Sequence, residues 1–265
     1  MNFCVLGSGS KGNCTLVESG STAILIDAGF SGKEISRRLA LINRSPEDLA
    51  AIVVTHEHGD HISGAGVLSR RYNLPVYANC GTHLASASRL KKLHKRVEFG
   101  TGECFVVNDL EIHPFRVSHD TADPVGFVVS DTHSALGYCT DTGRVTKLIT
   151  HHISKCKGLI LEANHDPQML MDGPYPMPLK QRVRSSQGHL ANGDAARFLA
   201  DLVNSSLQHV VLAHLSETNN LPEVALARVQ KELKSSEIGF EISLAEQNSP
   251  TLLFSLGSCQ DGNSV

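Results

Sequence analysis

The chain has 265 residues, enough to bury a substantial core as one large domain or two small ones without disulfide staples. Its 24 basic and 27 acidic residues leave a formal net charge of −3, which excludes a global positive field for nucleic acid or anionic membrane and makes any such contact local. Seven scattered cysteines with no C-x-x-C pair argue against a disulfide framework and against a thiolate zinc site, and no apolar run reaches membrane-spanning length.

The opening "MNFCVL" is a short apolar strand without the basic region of a secretory signal, so a soluble cytoplasmic protein is expected. It runs into "GSGSKG" (7–12), a letter-for-letter G-x-G-x-x-G. A dinucleotide fold would next open a helix, whereas "NCTLVESGSTAILID" reads as strand and turn. A tight turn between strands is the expectation, with Lys11 and Asn13 facing a substrate. β-Branched runs then recur at 22–28, 51–55, 75–79, 110–117, 125–130, 134–140, 158–164 and 209–214. Helical patterns fall at 32–42, 64–72, 82–93, 144–155, 192–203 and 222–235.

The stretch 103–140 reads as purely β with hairpin spacing, while the rest alternates strand and helix. This mixture predicts stacked α/β layers with parallel and antiparallel pairing. No linker or strong internal repeat divides the chain, so one domain is expected over 1–257, followed by a disordered tail at 258–265. Residues 166–188, with three prolines in five positions, read as a long irregular loop. Its Lys180, Arg182 and Arg184, and the run "RLKKLHKR" (89–96), are solvated surface in the ordinary reading and a track for a phosphodiester backbone in the functional one.

"THEHGDH" (55–61) follows the buried run "AIVVT" and crowds five donors into seven positions. It fails H-E-x-x-H, because Asp60 stands where the second histidine belongs. In extended backbone His56 and His58 share a face. As the chain curls toward the helix, Asp60 and His61 turn to a neighbouring position, giving two adjacent cation sites. Further ligands should also close apolar strands, and His119, Asp141 and His214 each do so. Asp27, closing "AILID", suits the orienting of a metal-bound histidine through its second nitrogen.

These residues resemble the metallo-β-lactamase superfamily. T-H-E-H-G-D-H matches its H-x-H-x-D-H signature, and Asp27, His119, Asp141 and His214 follow in its chain order over residues 1 to about 256. The resemblance implies a four-layer αββα sandwich. It further implies one metal on His56, His58 and His119, a second on Asp60, His61 and His214, and Asp141 bridging them. Lactam hydrolases usually lack a bridging aspartate, and glyoxalase-type thioesterases carry a C-terminal helical region not found here. Phosphodiesterases and nucleases remain.

"LEANHD" (161–166), "RSSQGHLAN" (184–192), "LAHLSETNN" (212–220) and the opening "GSGSKGN" are similar to the YycJ/WalJ branch, which implies a double-strand-directed 5′ exonuclease linked to DNA repair. "SSQGHLAN" offers Ser186, His189 and a helix start capped by Asn192, a ready anion site, and Asn164 and His165 follow a strand into the same region. Two cations about 3.5–4 Å apart would lower the pKa of a shared water to give hydroxide near neutral pH. Asp60 or Asp141 would orient it, and His189, or else His165, would protonate the leaving oxygen. The His/Asp ligands admit Zn²⁺, Mn²⁺ or Fe²⁺, and the branch favours manganese. Rival readings are a cyclic phosphodiesterase of the phosphoribosyl cyclic phosphate type and a di-iron redox protein with a flavodiiron-like cage.

Overall fold

The structure, a computed structural model, describes residues 1–203, 205–233 and 239–257. The first half comprises β1 (Asn2–Gly7), β2 (Cys14–Ser19), β3 (Thr22–Ile26), α1 (Gly32–Leu41), β4 (Ala51–Val53), α2 (Gly59–Ile62), α3 (Ala65–Tyr72), β5 (Pro75–Ala78), α4 (Cys80–Leu90) and β6 (Lys95–Glu98). The second comprises β7 (Phe105–Val107), β8 (Leu110–Arg116), β9 (Val125–Ser130), β10 (Ala135–Cys139), α5 (Lys147–Ile153), β11 (Gly158–Glu162), α6 (Pro167–Asp172), α7 (Met177–Arg184), α8 (Asn192–Asp201), β12 (His209–Ala213), α9 (Pro222–Leu233), β13 (Glu241–Leu244) and β14 (Phe254–Ser255). The tail expected at 258–265 lies outside the described residues, as does Cys259; the six described cysteines are all free.

Two seven-stranded sheets form, ordered β14-β1-β2-β3-β4-β5-β6 and β13-β12-β11-β10-β9-β8-β7. They follow one plan. Pairing is antiparallel from β14 to β3 and parallel from β3 to β6. In the second sheet it is antiparallel from β7 to β10 and parallel from β10 to β13. β14 occupies in the first sheet the place that β7 holds in the second. This duplication has no counterpart in residue identities, because what corresponds is pairing order and crossover.

The strand period of two sorts the parallel strands' side chains between layers. Ile24, Ile26, Val53, Ile160 and Val211 meet between the sheets. Their neighbours Leu25 and Ile52 pack outward on Ile35, Leu39 and Leu68 of α1 and α3. On the other side Leu159, Leu161 and Leu212 pack on Ile149, Leu199 and Val229 of α5, α8 and α9. The result is the expected four-layer αββα sandwich, in which each such buried side chain contributes about 1.5–3 kcal/mol.

Residues 166–188 differ from expectation. They hold two short helices rather than a loop, because Pro167, Pro176 and Pro178 stand at helix starts, where a missing N–H costs little. Pro167 opens α6 behind Asp166, whose carboxylate accepts from the Gln168 and Met169 amides, and Pro176 precedes α7. "GSGSKG" is the expected turn between paired strands, β1 and β2. β6, which begins at the end of the basic run 89–96, was not anticipated; it is an edge strand with mostly exposed side chains.

Candidate metal centre

The functional side chains stand on loops that follow β3, β4, β8, β10, β11 and β12, at one rim of the sandwich. Three of them leave their strands in the left-handed region: Asp27 (φ 61°), Asp141 (φ 55°) and His214 (φ 55°). Aspartate and histidine tolerate that region better than branched residues, yet each such position costs about 1–3 kcal/mol and persists where the surroundings enforce it. Close approach enforces it here. A Cβ added to Gly29, two residues after Asp27, would lie 1.7 Å from the Asp60 carbonyl oxygen, so the two loops meet backbone to backbone.

Two donor clusters result. In one, His58 Nδ1 lies 3.1 Å from His56 Nε2 and 3.3 Å from His119 Nε2. In the other, Asp60 Oδ2 lies 3.6 Å from His61 Nε2 and 3.7 Å from His214 Nε2. Asp141 stands between them, with Oδ2 3.4 Å from His61 Nε2 and Oδ1 3.6 Å from His214 Nε2 and 3.9 Å from His119 Nε2. The structure thus brings together all seven residues singled out as ligands.

Four of the five histidines are fixed by their outward nitrogen. His61 Nδ1 donates to Asp27 at 2.7 Å, His119 Nδ1 to the Gly188 carbonyl at 3.1 Å, and His214 Nδ1 to Glu162 at 3.0 Å. His56 Nδ1 donates to Thr55 Oγ1 at 3.0 Å, and that hydroxyl donates in turn to Asp27. Each Nε2 lone pair is therefore aimed inward, the arrangement that outer partners impose on metal-ligating imidazoles. His58 is the exception, turning Nδ1 inward.

These residues fit divalent cations. His214 Nε2 and Asp141 Oδ2 are buried with no hydrogen-bond partner, and four carboxylates, Asp27, Asp60, Asp141 and Glu162, surround the clusters. Buried charge of that density needs compensation. Without cations it falls to protons. Burial opposes charge on His61, but Asp141, Asp27 and Asp60 outweigh it and raise its pKa to about 9. His214 is raised in the same way by Asp141, Asp60 and Glu162. Burial, reinforced by neighbouring imidazoles, instead lowers His56.

Glu162 was missed in the sequence. Fully buried at the end of β11, it accepts through Oε1 from His189 Nδ1 (2.7 Å) and His214 Nδ1 (3.0 Å), and through Oε2 from the Thr142 and Leu190 amides. A carboxylate closing "GLILE" is the signal that identified Asp27, here inside a segment already singled out. Glu162, Asp141, His189 and His214 also form a possible donor group. We read Glu162 as an orienting residue, because it meets the outward nitrogens of both histidines.

A cleft of about 360 Å³ opens over Asp60, Asp141 and His214; His189, Asn164 and Arg89 also line it. His189 is 19% exposed on its side chain and faces the cleft beside Asp141, 3.8 Å from Nδ1 to Oδ1. Tyr175 and Leu179 also line the cleft. Asn164 lines the cleft while donating to the His214 carbonyl at 2.9 Å.

The remaining expected site residues, Asn13 excepted, are not brought there. Ala191, not Asn192, is the cap position of α8, and the fully buried Asn192 amide exchanges hydrogen bonds of 2.8 and 2.9 Å with Asn220. The start of α8 opens on a separate groove with Asp166 and Arg228. Ser186 is exposed, and its carbonyl accepts from Ser118 Oγ. His165 is buried, with Nδ1 unpartnered, and is not part of the cleft wall. Lys11 pairs with Glu217, whereas buried Asn13 does reach the donor clusters beneath the cleft, its Nδ2 3.2 Å from His61 Nε2 and 3.5 Å from Asp60 Oδ2.

This rim, with its histidine and aspartate clusters at the strand ends of an αββα sandwich, defines a metallohydrolase. A family profile for the Beta-lactamase superfamily domain matches residues 22–215, and the chain belongs to that superfamily. It is 37% identical over 257 residues to Exodeoxyribonuclease YycJ of Bacillus anthracis, covering 95% of this chain and 97% of that one. It is 37% identical over 242 residues to Exodeoxyribonuclease WalJ of Streptococcus pneumoniae, covering 89% and 90%. The Zn²⁺-bound PqqB structure from Methylobacterium extorquens shares the fold at TM-score 0.74 and 17% identity, over 97% of this chain and 100% of that one. Among the described residues, no helix is long and apolar enough to cross a membrane.

Proposed function

We propose that this protein is a metal-dependent phosphodiesterase acting as a DNA exonuclease, directed to the 5′ end of duplex DNA in the cytoplasm. One observation carries the reading: two donor clusters joined at Asp141 lie beneath a cleft, in a chain 37% identical to an exodeoxyribonuclease along 95% of its length. His56, His58 and His119 would hold one divalent cation and Asp60, His61 and His214 a second, with Asp141 shared. Bound there, manganese or zinc supplies Lewis acidity that makes water acidic and offsets charge on the phosphoryl oxygens.

The chain's own groups do the rest. Asp60 and Asp141 are held ionised, since burial is outweighed by His61 and His214, and they orient the attacking water in line with the leaving oxygen. Glu162 grips His189 through Nδ1 and leaves Nε2 toward the cleft, where a protonated imidazole can give its proton to the departing oxygen. Tyr175 offers a ring on which a terminal base can stack.

The test combines elemental analysis of the purified protein with Mn²⁺-supplemented assays on 5′-end-labelled duplex DNA and on bis-p-nitrophenyl phosphate. Two divalent ions per chain and shortening of the duplex are expected. Cleavage of the small ester with an intact duplex would transfer the site to small cyclic phosphodiesters instead.

A further inference from the structure

Two basic clusters flank the cleft, and they differ in what their charges already meet. On α7, Arg182 pairs with Asp120 and Lys180 is buried with Nζ on the Met171 carbonyl, so those charges are largely taken up internally. On the other side, the chain carries no acidic residue between Asp60 and Glu98, while this stretch holds seven lysines and arginines in a protein of net charge −3. It builds α3, β5, α4 and β6, one edge of the first sheet.

Arg89, on the last turn of α4, reaches into the cleft: a Cβ placed on Gly59 would come within 2.5 Å of its Nη1. No hydrogen bond or ion pair engages its guanidinium among the described residues. Beyond it the exposed Lys91, Lys92 and Lys95 continue along the turn into β6. Arg70 fixes that turn by donating to the Leu90 and Lys92 carbonyls at 3.1 and 2.7 Å. Two ordinary roles exist for such charges: cations favour a helix C-terminus, and lysines guard an exposed sheet edge. Neither explains an arginine placed unpaired against the Gly59–Asp60 loop, nor a stretch from His61 to Val97 without an acidic residue, after which Glu98 is taken up by Arg96.

We propose that this edge is the rail on which the uncut part of a duplex substrate lies, Arg89 taking the phosphate next to the scissile bond and Lys91, Lys92 and Lys95 the phosphates that follow. The proposal rests on the nuclease reading above and deepens it. A phosphodiester backbone is the partner the chemistry selects, because a row of exposed basic groups, left unpaired while Glu98 is engaged by Arg96, attracts regularly spaced charge without reading sequence.

The triple variant K91E/K92E/K95E is compared with wild type and with R144E/K147E, a charge reversal at a different pocket. Binding to a phosphorothioate duplex is followed by fluorescence anisotropy against KCl, and cleavage of unmodified duplex against that of bis-p-nitrophenyl phosphate. For the triple variant the slope of log affinity on log salt should fall by about 2–3. The ratio of duplex to small-ester cleavage should drop tenfold or more, with R144E/K147E unlike it on both counts. Arg89→Ala should lower the same ratio. A slope and ratio equal to wild type overturn the rail, and so does an equal loss in both multiple variants. Dependence on the lysines for single-stranded RNA but not for duplex DNA overturns it as well. Failure of wild type to cut any duplex would sink the nuclease reading instead, while the anisotropy arm still decides the rail.

Discussion

Asp27 beside β3 and Glu162 at the end of β11 are buried carboxylates on opposite halves of the molecule, and each grips the Nδ1 of a histidine whose Nε2 faces the donor clusters. They differ in what else they hold. Asp27 also takes the Thr55 amide and hydroxyl, and thereby fixes the loop that carries His56, His58, Asp60 and His61. Glu162 holds a second histidine, His189, which stands outside the two donor clusters described above and faces the cleft. In the proposed mechanism the same device serves retention of the metals in the first half, and both retention and proton delivery in the second. Duplicated topology has left room for unequal roles.

The widest break in that comparison is at the residue the halves share. Asp141→Ala should abolish hydrolysis and reduce metal content by elemental analysis, since it removes the carboxylate between the clusters. Next come the two supports. Glu162→Gln should lower turnover by about a hundredfold or more, and excess Mn²⁺ should not restore it, because His189 loses its acceptor charge as well. Asp27→Asn should weaken metal affinity by about 10–100-fold, and saturating Mn²⁺ should recover most of the turnover. Equal rescue of both variants by metal would erase the distinction. His189→Ala should cost about a hundredfold in turnover with metal occupancy near wild type. Loss of metal in that variant would assign His189 to retention instead.

The first half also carries a pH signature. With the metals removed, His61 has a folded pKa of about 9, above its ordinary value near 6.5. A raised folded pKa stabilises the fold in full below about 6.5 and loses that contribution as pH rises through about 9. The melting temperature of metal-stripped protein should therefore fall between those values, and metal-loaded protein should show a smaller dependence. An equal slope for both would mean that protons do not take the place of the cations at this histidine.

How much was legible follows from where each signal lies in the chain. The strands that bury both faces read as continuous apolar runs, so β3, β4, β10, β11 and β12 were visible, and with them the loop positions of Asp27, His56, Asp141 and His214. Glu162 hid because a single carboxylate at a strand end is ambiguous until space shows which nitrogens it meets. The prolines of 166–188 were read as breakers, although their positions relative to Asp166 and Met177 are those of helix starts. Asn192 was taken for a cap because the pattern fits a helix start to within one residue, and a shift of that size exchanges an exposed cap for a buried first turn.

That one-residue shift yields the smallest effect and the finest test of the second half. Asn192 and Asn220 close a reciprocal amide pair, and the Asn220 amide also donates to the Ala163 and Asn164 carbonyls at 2.8 and 3.1 Å, tying the strand that bears Glu162 to the segment after His214. Removing one partner leaves buried amide groups unsatisfied, which costs about 1–3 kcal/mol. Asn192→Ala should therefore lower the free energy of unfolding, read by denaturant titration, by that amount while the KM for duplex DNA stays within twofold of wild type. An increase in KM with unchanged stability would show that the amide reaches the substrate after all, and would bring the start of α8 back to the cleft as a phosphate site.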